Sequence, residues 1–488
     1  MEAGIKKAQL AAVVGKKNVS DEPEILEEYA RDESFAPLAR PYFVVRPHGS
    51  GEIEEIVRMA GETKTPLVPV SSGPPHFRGD TVPTFGGIVV DLSHMREIKS
   101  IDRQDRVAMI EPGVRFAELL PALEKEGLKL PIPLRPRKTK SVLACFLERE
   151  PHTIPKYHLD HTAPLLCAEV VFGTGDVFRT GEAAGPGTIA EMQEAGWRQK
   201  LRWEPQTEIM RLVQGAQGTM GIVTWATVRC EVLPSLQVPY LAQAGSLEEL
   251  LEFAYLLVRF RIGDELLILN AKNMAAMAAE KDGDVAGLVA QLPRWMLFFC
   301  LSGYHYFPEE RVEVQEARAR ENAKVAGVSI RDAVPGISAK TARELIGIPC
   351  GDTYWKLREK GGCQDISFIS SFHDIPRHVA MMAECVSGEG FSPADVGVYI
   401  QPVFQGHGYH CEFSLFFDRG DPRESGRVRD LYLQLGTALM GGGAFFSRPY
   451  DLLADRVFNR DAVTRETLRK IKDVFDPDNI MNPGRVCF

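Results

Sequence analysis

The sequence predicts an α+β protein of more than one domain, and three observations carry that prediction. Its 488 residues exceed what one ordinary core holds, since domains most often run to about 100–150 residues. Segments of strand, helix and strand character follow one another from Phe43 to Val70, the order of a βαβ unit. From about 238 to 440, helix-like and strand-like stretches alternate, which marks a second α+β region.

Taken in order, Asp21 to Asp32 is acidic and helix-like and ends at Arg40-Pro41. Phe43-Val44-Val45 forms a short strand closed by Arg46-Pro47. Ser50 then caps a helix whose Ile53, Ile56, Val57 and Ala60 recur at i, i+3, i+4 and i+7, one apolar face. Strands are predicted over Pro66 to Val70, Ile88 to Leu92 and Val107 to Glu111, and a helix through Leu119, Leu120 and Leu123. Two further strand-rich segments are Ala168 to Thr180, turning at Gly173-Thr174-Gly175-Asp176, and Gly221 to Val232. Ser246-Leu247-Glu248-Glu249 is a capping box opening the run Leu250 to Leu257. A helical stretch from Asp455 ends at Phe475-Asp476-Pro477.

Composition narrows the function. Hydrophobic residues make up 44% and charged residues 25%, the balance of a globular chain. A formal charge of −9 argues against a nucleic-acid binder; the stretch Arg135-Pro136-Arg137-Lys138-Thr139-Lys140 reads either as an anion contact or as a solvated loop. The longest apolar runs, such as Trp295 to Leu301, fall short of the roughly 18–20 residues a membrane span needs. No transmembrane segment and no signal peptide are expected. The nine cysteines contain no C-x-x-C pair, so neither a zinc ribbon nor an iron–sulfur cluster is encoded, and the thiols read as those of a cytoplasmic protein.

Glycine and small residues concentrate at three places. The loop Ser71-Ser72-Gly73-Pro74-Pro75-His76-Phe77-Arg78-Gly79 follows a strand, where backbone N–H groups can approach a phosphate; a plain surface turn is the other reading. Gly215-Ala216-Gln217-Gly218-Thr219-Met220-Gly221-Ile222 runs into a β-branched strand, a tight turn that can bring backbone against a flat ligand. Phe475-Asp476-Pro477-Asp478-Asn479-Ile480-Met481-Asn482-Pro483-Gly484 reads as a helix stop and an Asx-rich turn.

Together with Tyr29-Ala30-Arg31-Asp32, Val45-Arg46-Pro47, Gly86-Gly87-Ile88-Val89-Val90-Asp91-Leu92 and Glu111-Pro112-Gly113-Val114, these segments resemble the FAD-linked oxidases of the vanillyl-alcohol oxidase and p-cresol methylhydroxylase superfamily. That superfamily includes D-lactate and glycolate dehydrogenases. The resemblance covers 10–235 and 395–488 and implies a two-part FAD-binding domain (1–237), an α+β cap or substrate domain (238–445), and a C-terminal segment (446–488) completing the FAD site. It implies non-covalent FAD contacts from Ser71, Ser72, Gly73, His76, Phe77, Pro112, Gly113, Gly215, Gly218, Thr219, Gly221, Ile222 and Asn482. The chain departs from its relatives at Pro74 and Pro75, where they carry glycines; proline has no N–H to donate, so fewer amides face the phosphates. His76 stands one position from a histidine that links FAD covalently in some relatives.

For the chemistry, His407, His410 and Glu412 fall in a strand-like context, with His410 and Glu412 on one face. The resemblance implies a base, or a divalent metal held by His407, His410 and Glu412; the other reading is a pair of buried histidines shaping the pocket. Arg448 suits a carboxylate clamp, with Tyr450 assisting; a structural ion pair is the other reading for Arg448. Tyr157, His158, Asp160 and His161 read as a loop network near the flavin. The implied activity is dehydrogenation of a 2-hydroxy acid such as D-lactate or glycolate, with hydride passing to flavin N5 and electrons to a partner protein, in a homo- or hetero-oligomer. A para-substituted phenol, oxidised through a quinone methide, is the alternative substrate. A non-catalytic FAD-holding electron-transfer subunit is the alternative of another class.

Overall fold

The computed structural model describes residues 4–160, 163–201, 208–279 and 284–488. Three main sheets organise it. In the first, strands Phe43–Val45, Ile88–Asp91 and Leu67–Val70 run parallel, with Val19–Ser20 antiparallel at the edge. Helix Ser50–Thr63 makes the crossover and buries Ile53, Ile56, Val57 and Ala60 completely, so the i, i+3, i+4, i+7 pattern is the core face. Ser50 is the first helical residue and makes no side-chain cap; Glu52 instead reaches back to the His48 N–H at 2.8 Å.

The second sheet is antiparallel, in the order Ile98–Asp102, Val107–Ile110, Gly221–Arg229, Leu165–Phe172, Val177–Arg179. Its central strand Gly221–Arg229 is buried along nearly its whole length, as a strand covered on both faces must be. Helices Phe116–Lys125 and Val142–Leu147 pack on it through Leu119, Leu123, Val142 and Phe146.

The third sheet has seven antiparallel strands, in the order Ser329–Arg331, Leu236–Gln243, Trp295–Gly303, Leu266–Asn270, Val396–Val403, Gly408–Asp418, Gly361–Ser370. Alternate residues feed two separate cores: Tyr240, Leu266 and Ile268 meet the long helices Leu247–Arg259 and Pro308–Ala326, while Leu241, Leu267 and Leu269 meet Ala271–Ala278 and Ala339–Gly347. The predicted capping box is present, with Glu249 N–H on Ser246 Oγ at 3.3 Å and Ser246 N–H on Glu249 Oε2 at 3.0 Å.

Two contacts tie the sheets together. Asp264, fully buried, accepts from Lys129 at 2.6 Å, Tyr304 at 2.7 Å and Lys156, joining the second and third sheets. At the other end, Leu67 N–H donates to Ile480 and Asn482 N–H donates to Leu67, both at 2.7 Å, so the C-terminal residues line the first sheet. The C-terminal helical stretch is two helices, Asp451–Phe458 and Ala462–Phe475, because Asp461 caps the second. Asp476 then accepts from the amides of Ile480 and Met481 at 3.0 and 2.8 Å and pairs with buried Lys472, within the Asx-rich turn that follows the helix stop. Among the described residues, no helix is long and apolar enough to cross a membrane, and all nine cysteines are free.

Candidate active site

A deep cleft of about 1690 Å³, open mouth included, lies where the three sheets meet. Ser71, Ser72, His76, Phe77, Pro112, Gly218, Gly221 and Ile222 form one side; Asp365, Ser367, Glu412, Arg448 and Tyr450 form the other.

The first side is built by two turns and the strand behind each. After strand Leu67–Val70 the loop crosses the cleft, and the amides of Ser71, Ser72, His76, Phe77 and Arg78 find no acceptor among the described residues. Ser72 and His76 are buried and Ser71, Phe77 and Arg78 half-buried, and such a row of amides without a protein acceptor fits an anionic ligand such as the diphosphate of FAD. Gly73 differs: its N–H is taken by Thr139 O at 3.0 Å. At the second turn Gly218 adopts φ +73°, and a Cβ there would stand 2.5 Å from Pro69 Cγ; at Gly221 it would stand 2.5 Å from Val171 O. These glycines are demanded by neighbouring chain as much as by a ligand. Three expected contacts lie behind the cleft surface. Gly113 packs against the carbonyls of Leu92, Ser93 and Met95, Gly215 against Arg149, and Thr219 closes its own turn onto Ala216 O at 2.6 Å. Asn482 is a staple: its Nδ2 donates to Asp80 O at 2.9 Å and Gln217 O at 2.7 Å, locking the two turns together.

Charged side chains from the loop and from the basic stretch 135–140, paired with Glu148 and Glu150, complete this wall. Arg78 and Lys140 both pair with Glu148 and Glu150, with Lys140 2.6 Å from Glu148 and Arg78 2.6 Å from Glu150. Burial, with Arg78 and Arg137 close by, pulls the Lys140 ammonium down to about 8. Within the basic stretch, Arg137 and Lys140 turn into the cleft while Lys138 turns out to Asp352. Burial and then the Arg137 and Lys140 charges push His76 down to about 3, so its imidazole is neutral.

The second side comes from the seven-stranded third sheet. The ladder pairs Ser367 with Glu412 and Asp365 with Ser414, and Tyr399 with Glu412, so these side chains share one face. Lys356 reaches across that face to Asp365 and Glu412, each at 2.6 Å. Burial opposes ionisation of Glu412, but the Lys356 ammonium wins and holds it well below the usual carboxylate range. His410 sits behind Glu412, its Nε2 3.7 Å from Oε2, and burial lowers its pKa. Arg448 is buried and makes no ion pair among the described residues; its one hydrogen bond is to Glu148 O at 3.5 Å. Burial and Arg78 depress it. The Tyr450 ring lies 5.0 Å from the Arg78 guanidinium, and burial raises its pKa.

The expected metal set is corrected here. His407 stands exposed at the turn before strand Gly408–Asp418, outside the cleft, while His410 and Glu412 are buried. The charge that Glu412 meets is Lys356, and among the described residues no group of three or more metal-type side chains converges. Tyr157 and His158 lie at the junction with the cap, where Phe404 N–H meets His158 Nδ1 at 3.2 Å, and Asp160 meets Arg211 at 3.0 Å. His161 lies outside the described residues.

Comparison with known proteins agrees with this geometry. Residues 41–181 match a family described as FAD binding domain, and 458–486 match FAD linked oxidases, C-terminal domain. The chain thus carries segments of two FAD-linked families, an FAD binding domain and the C-terminal domain of FAD linked oxidases. Among its relatives, glycolate oxidase subunit GlcD of Bacillus subtilis is 30% identical over 237 residues, which is 48% of this chain and 47% of that one. The mitochondrial D-lactate dehydrogenase [cytochrome] of Arabidopsis thaliana is 23% identical over 479 residues, 92% of this chain and 74% of that one. The fold is similar to that of p-cresol methylhydroxylase with substrate bound, at TM-score 0.83 and 20% identity, covering 99% of this chain and 96% of that one.

Proposed function

We propose that this chain is an FAD-dependent dehydrogenase that oxidises the CH–OH of a small 2-hydroxy acid, such as D-lactate or glycolate, and passes the electrons to a partner protein in the cytoplasm. One observation carries the reading: Arg448 is a buried guanidinium in the cleft wall without a carboxylate partner among the described residues. A buried charge is costly unless paired, and the planar fork of arginine matches a carboxylate.

FAD would be held by the amides of Ser71, Ser72, His76 and Phe77 and by the turn at Gly218–Ile222, and when bound it supplies the two-electron acceptor. The chain's own residues do the rest. Arg448 seats the carboxylate. Tyr450, kept protonated by burial, donates a hydrogen bond beside it. Glu412, kept ionised by Lys356, accepts the substrate hydroxyl hydrogen bond, and the neutral imidazole of His410 behind it receives the proton through that carboxylate. The relatives named for glycolate and D-lactate support the substrate class. The nine free cysteines, with no cluster-binding spacing, support transfer to an outside acceptor.

A second reading, oxidation of a para-substituted phenol, is favoured by the similarity in fold to p-cresol methylhydroxylase, since Arg448 and Tyr450 also suit a phenolate. The anaerobic visible spectrum of the purified protein separates them. Bleaching by D-lactate or glycolate supports the hydroxy-acid reading, and bleaching by para-alkylphenols alone replaces it. A yellow protein that neither class bleaches points to a non-catalytic electron-transfer subunit.

A further inference from the structure

The pyrophosphate-facing loop has a defect and a neighbour that answers it. Pro74 and Pro75 have no N–H to offer, and the Gly73 N–H is already spent on Thr139 O at 3.0 Å. The segment that takes this amide is the basic strap 135–141. It is held on both sides: Ser141 N–H donates to Ser72 Oγ at 3.0 Å, while Lys138 N–H donates to Cys350 O at 3.0 Å and Cys350 N–H to Pro136 O at 2.7 Å. The strap is thereby fixed between the loop and the cap, and its side chains have set directions.

Those directions are informative. Arg137 faces the cleft with its guanidinium 5.5 Å from the Phe77 ring, and no acidic side chain pairs with it among the described residues. Its Nε and the Thr139 hydroxyl are buried with no hydrogen-bond partner. Beside them, Lys140 is balanced by Glu148 and Glu150, which Arg78 also engages. Two cations face two anions in that network, and Arg137 stands beside it with no carboxylate within ion-pair distance among the described residues.

We propose that Arg137 is a diphosphate seat: it replaces the amide donors lost at residues 73–75 and holds the pyrophosphate of the dinucleotide by side-chain charge. This rests on the reading that the chain binds FAD. Binding through a guanidinium is screened by salt, whereas binding through neutral amides is far less so. The strap also contacts the cap at Cys350 and, through Trp355 Nε1 on Arg135 O at 3.3 Å, beyond it. Filling the seat therefore steadies the cap edge that carries Lys356.

The experiment is a titration of the full chain, freed of flavin, with FAD, ADP and riboflavin, read by flavin fluorescence and by competition. Arg137→Met should weaken FAD and ADP by roughly 10- to 100-fold, the scale of one charged hydrogen bond, and leave riboflavin unchanged. Inorganic pyrophosphate should compete with FAD on the wild type and lose that effect in the variant, and the variant's FAD affinity should depend less on salt. Arg137→Lys, which keeps the charge, should recover part of the affinity and guards against a variant that fails to fold. If the wild type takes up FAD and Arg137→Met binds it equally well, the seat is refuted; if that variant raises only the KM for a hydroxy acid, Arg137 belongs to the substrate instead. If the wild type takes up no FAD, the proposed function itself falls.

Discussion

The two walls of the cleft are made in different ways. The wall on the side of the first two sheets is a set of loops, and its main resource is backbone: the amides of Ser71, Ser72, His76, Phe77 and Arg78, with glycine turns behind them. The cap wall is a sheet face, and its resource is side chains from separate strands, Asp365 and Glu412 bridged by Lys356, with Arg448 arriving from a loop. A loop of amides recognises a common anionic group and tolerates much sequence change. A strand face sets a few charges at fixed spacing, and each substitution there is felt. The difference teaches where to look for cofactor affinity and where to look for specificity.

The largest expected effect is on the cap wall. Lys356→Met leaves two carboxylates facing each other in a buried site, and breaking such a bridge costs about 3–5 kcal/mol. The lower end applies because a third of the Asp365 side chain is exposed. Thermal unfolding would report it, and Lys356→Met combined with Glu412→Gln should recover part of the loss; no recovery would mean the bridge is not the source. Next, Arg448→Met should lower kcat/KM for a hydroxy acid by about 10²–10³-fold, the range for a buried charged contact, with flavin content unchanged. Loss of flavin together with activity would place Arg448 in the cofactor wall and erase the contrast.

A smaller effect tests the first wall by pH. The His76 pKa is lowered to about 3 from 6.5, so the unfolded chain binds more protons below 6.5 and stability falls as the pH drops towards 3. From pH 7 to pH 5 this amounts to about 2 kcal/mol. His76→Gln should flatten that part of the profile, and an unchanged slope would assign the acid sensitivity elsewhere. The smallest effects are expected at Lys138 and His407, which face away from the cleft. Lys138→Ala and His407→Ala should change stability by no more than about 0.5 kcal/mol and leave steady-state rates alone; a large loss of rate in His407→Ala would restore it as a base.

Much of the architecture was legible. The 3.6-residue repeat at Ile53, Ile56, Val57 and Ala60 and the capping box at Ser246 and Glu249 reappear as a buried helix face and a formed cap. The period-two rule put His410 and Glu412 on one face of the strand. What faced them was not legible. Lys356, far away in the chain on the three-residue helix Trp355–Leu357, takes the position that a metal ion was expected to hold.

The sequence by itself determined the elements, the three glycine-bearing turns and the kinship to FAD-linked oxidases, because each depends on neighbours within a few residues or on short motifs in order. Only the tertiary structure decided which charges meet. Arg137 and Lys140 turn inward and Lys138 outward on a loop with no repeat to predict it, and the bridge of Asp365, Lys356 and Glu412 exists only once two strands and a short helix pack together. Local geometry is set by local chemistry, whereas the partner of a buried charge is set by which elements the core brings to it.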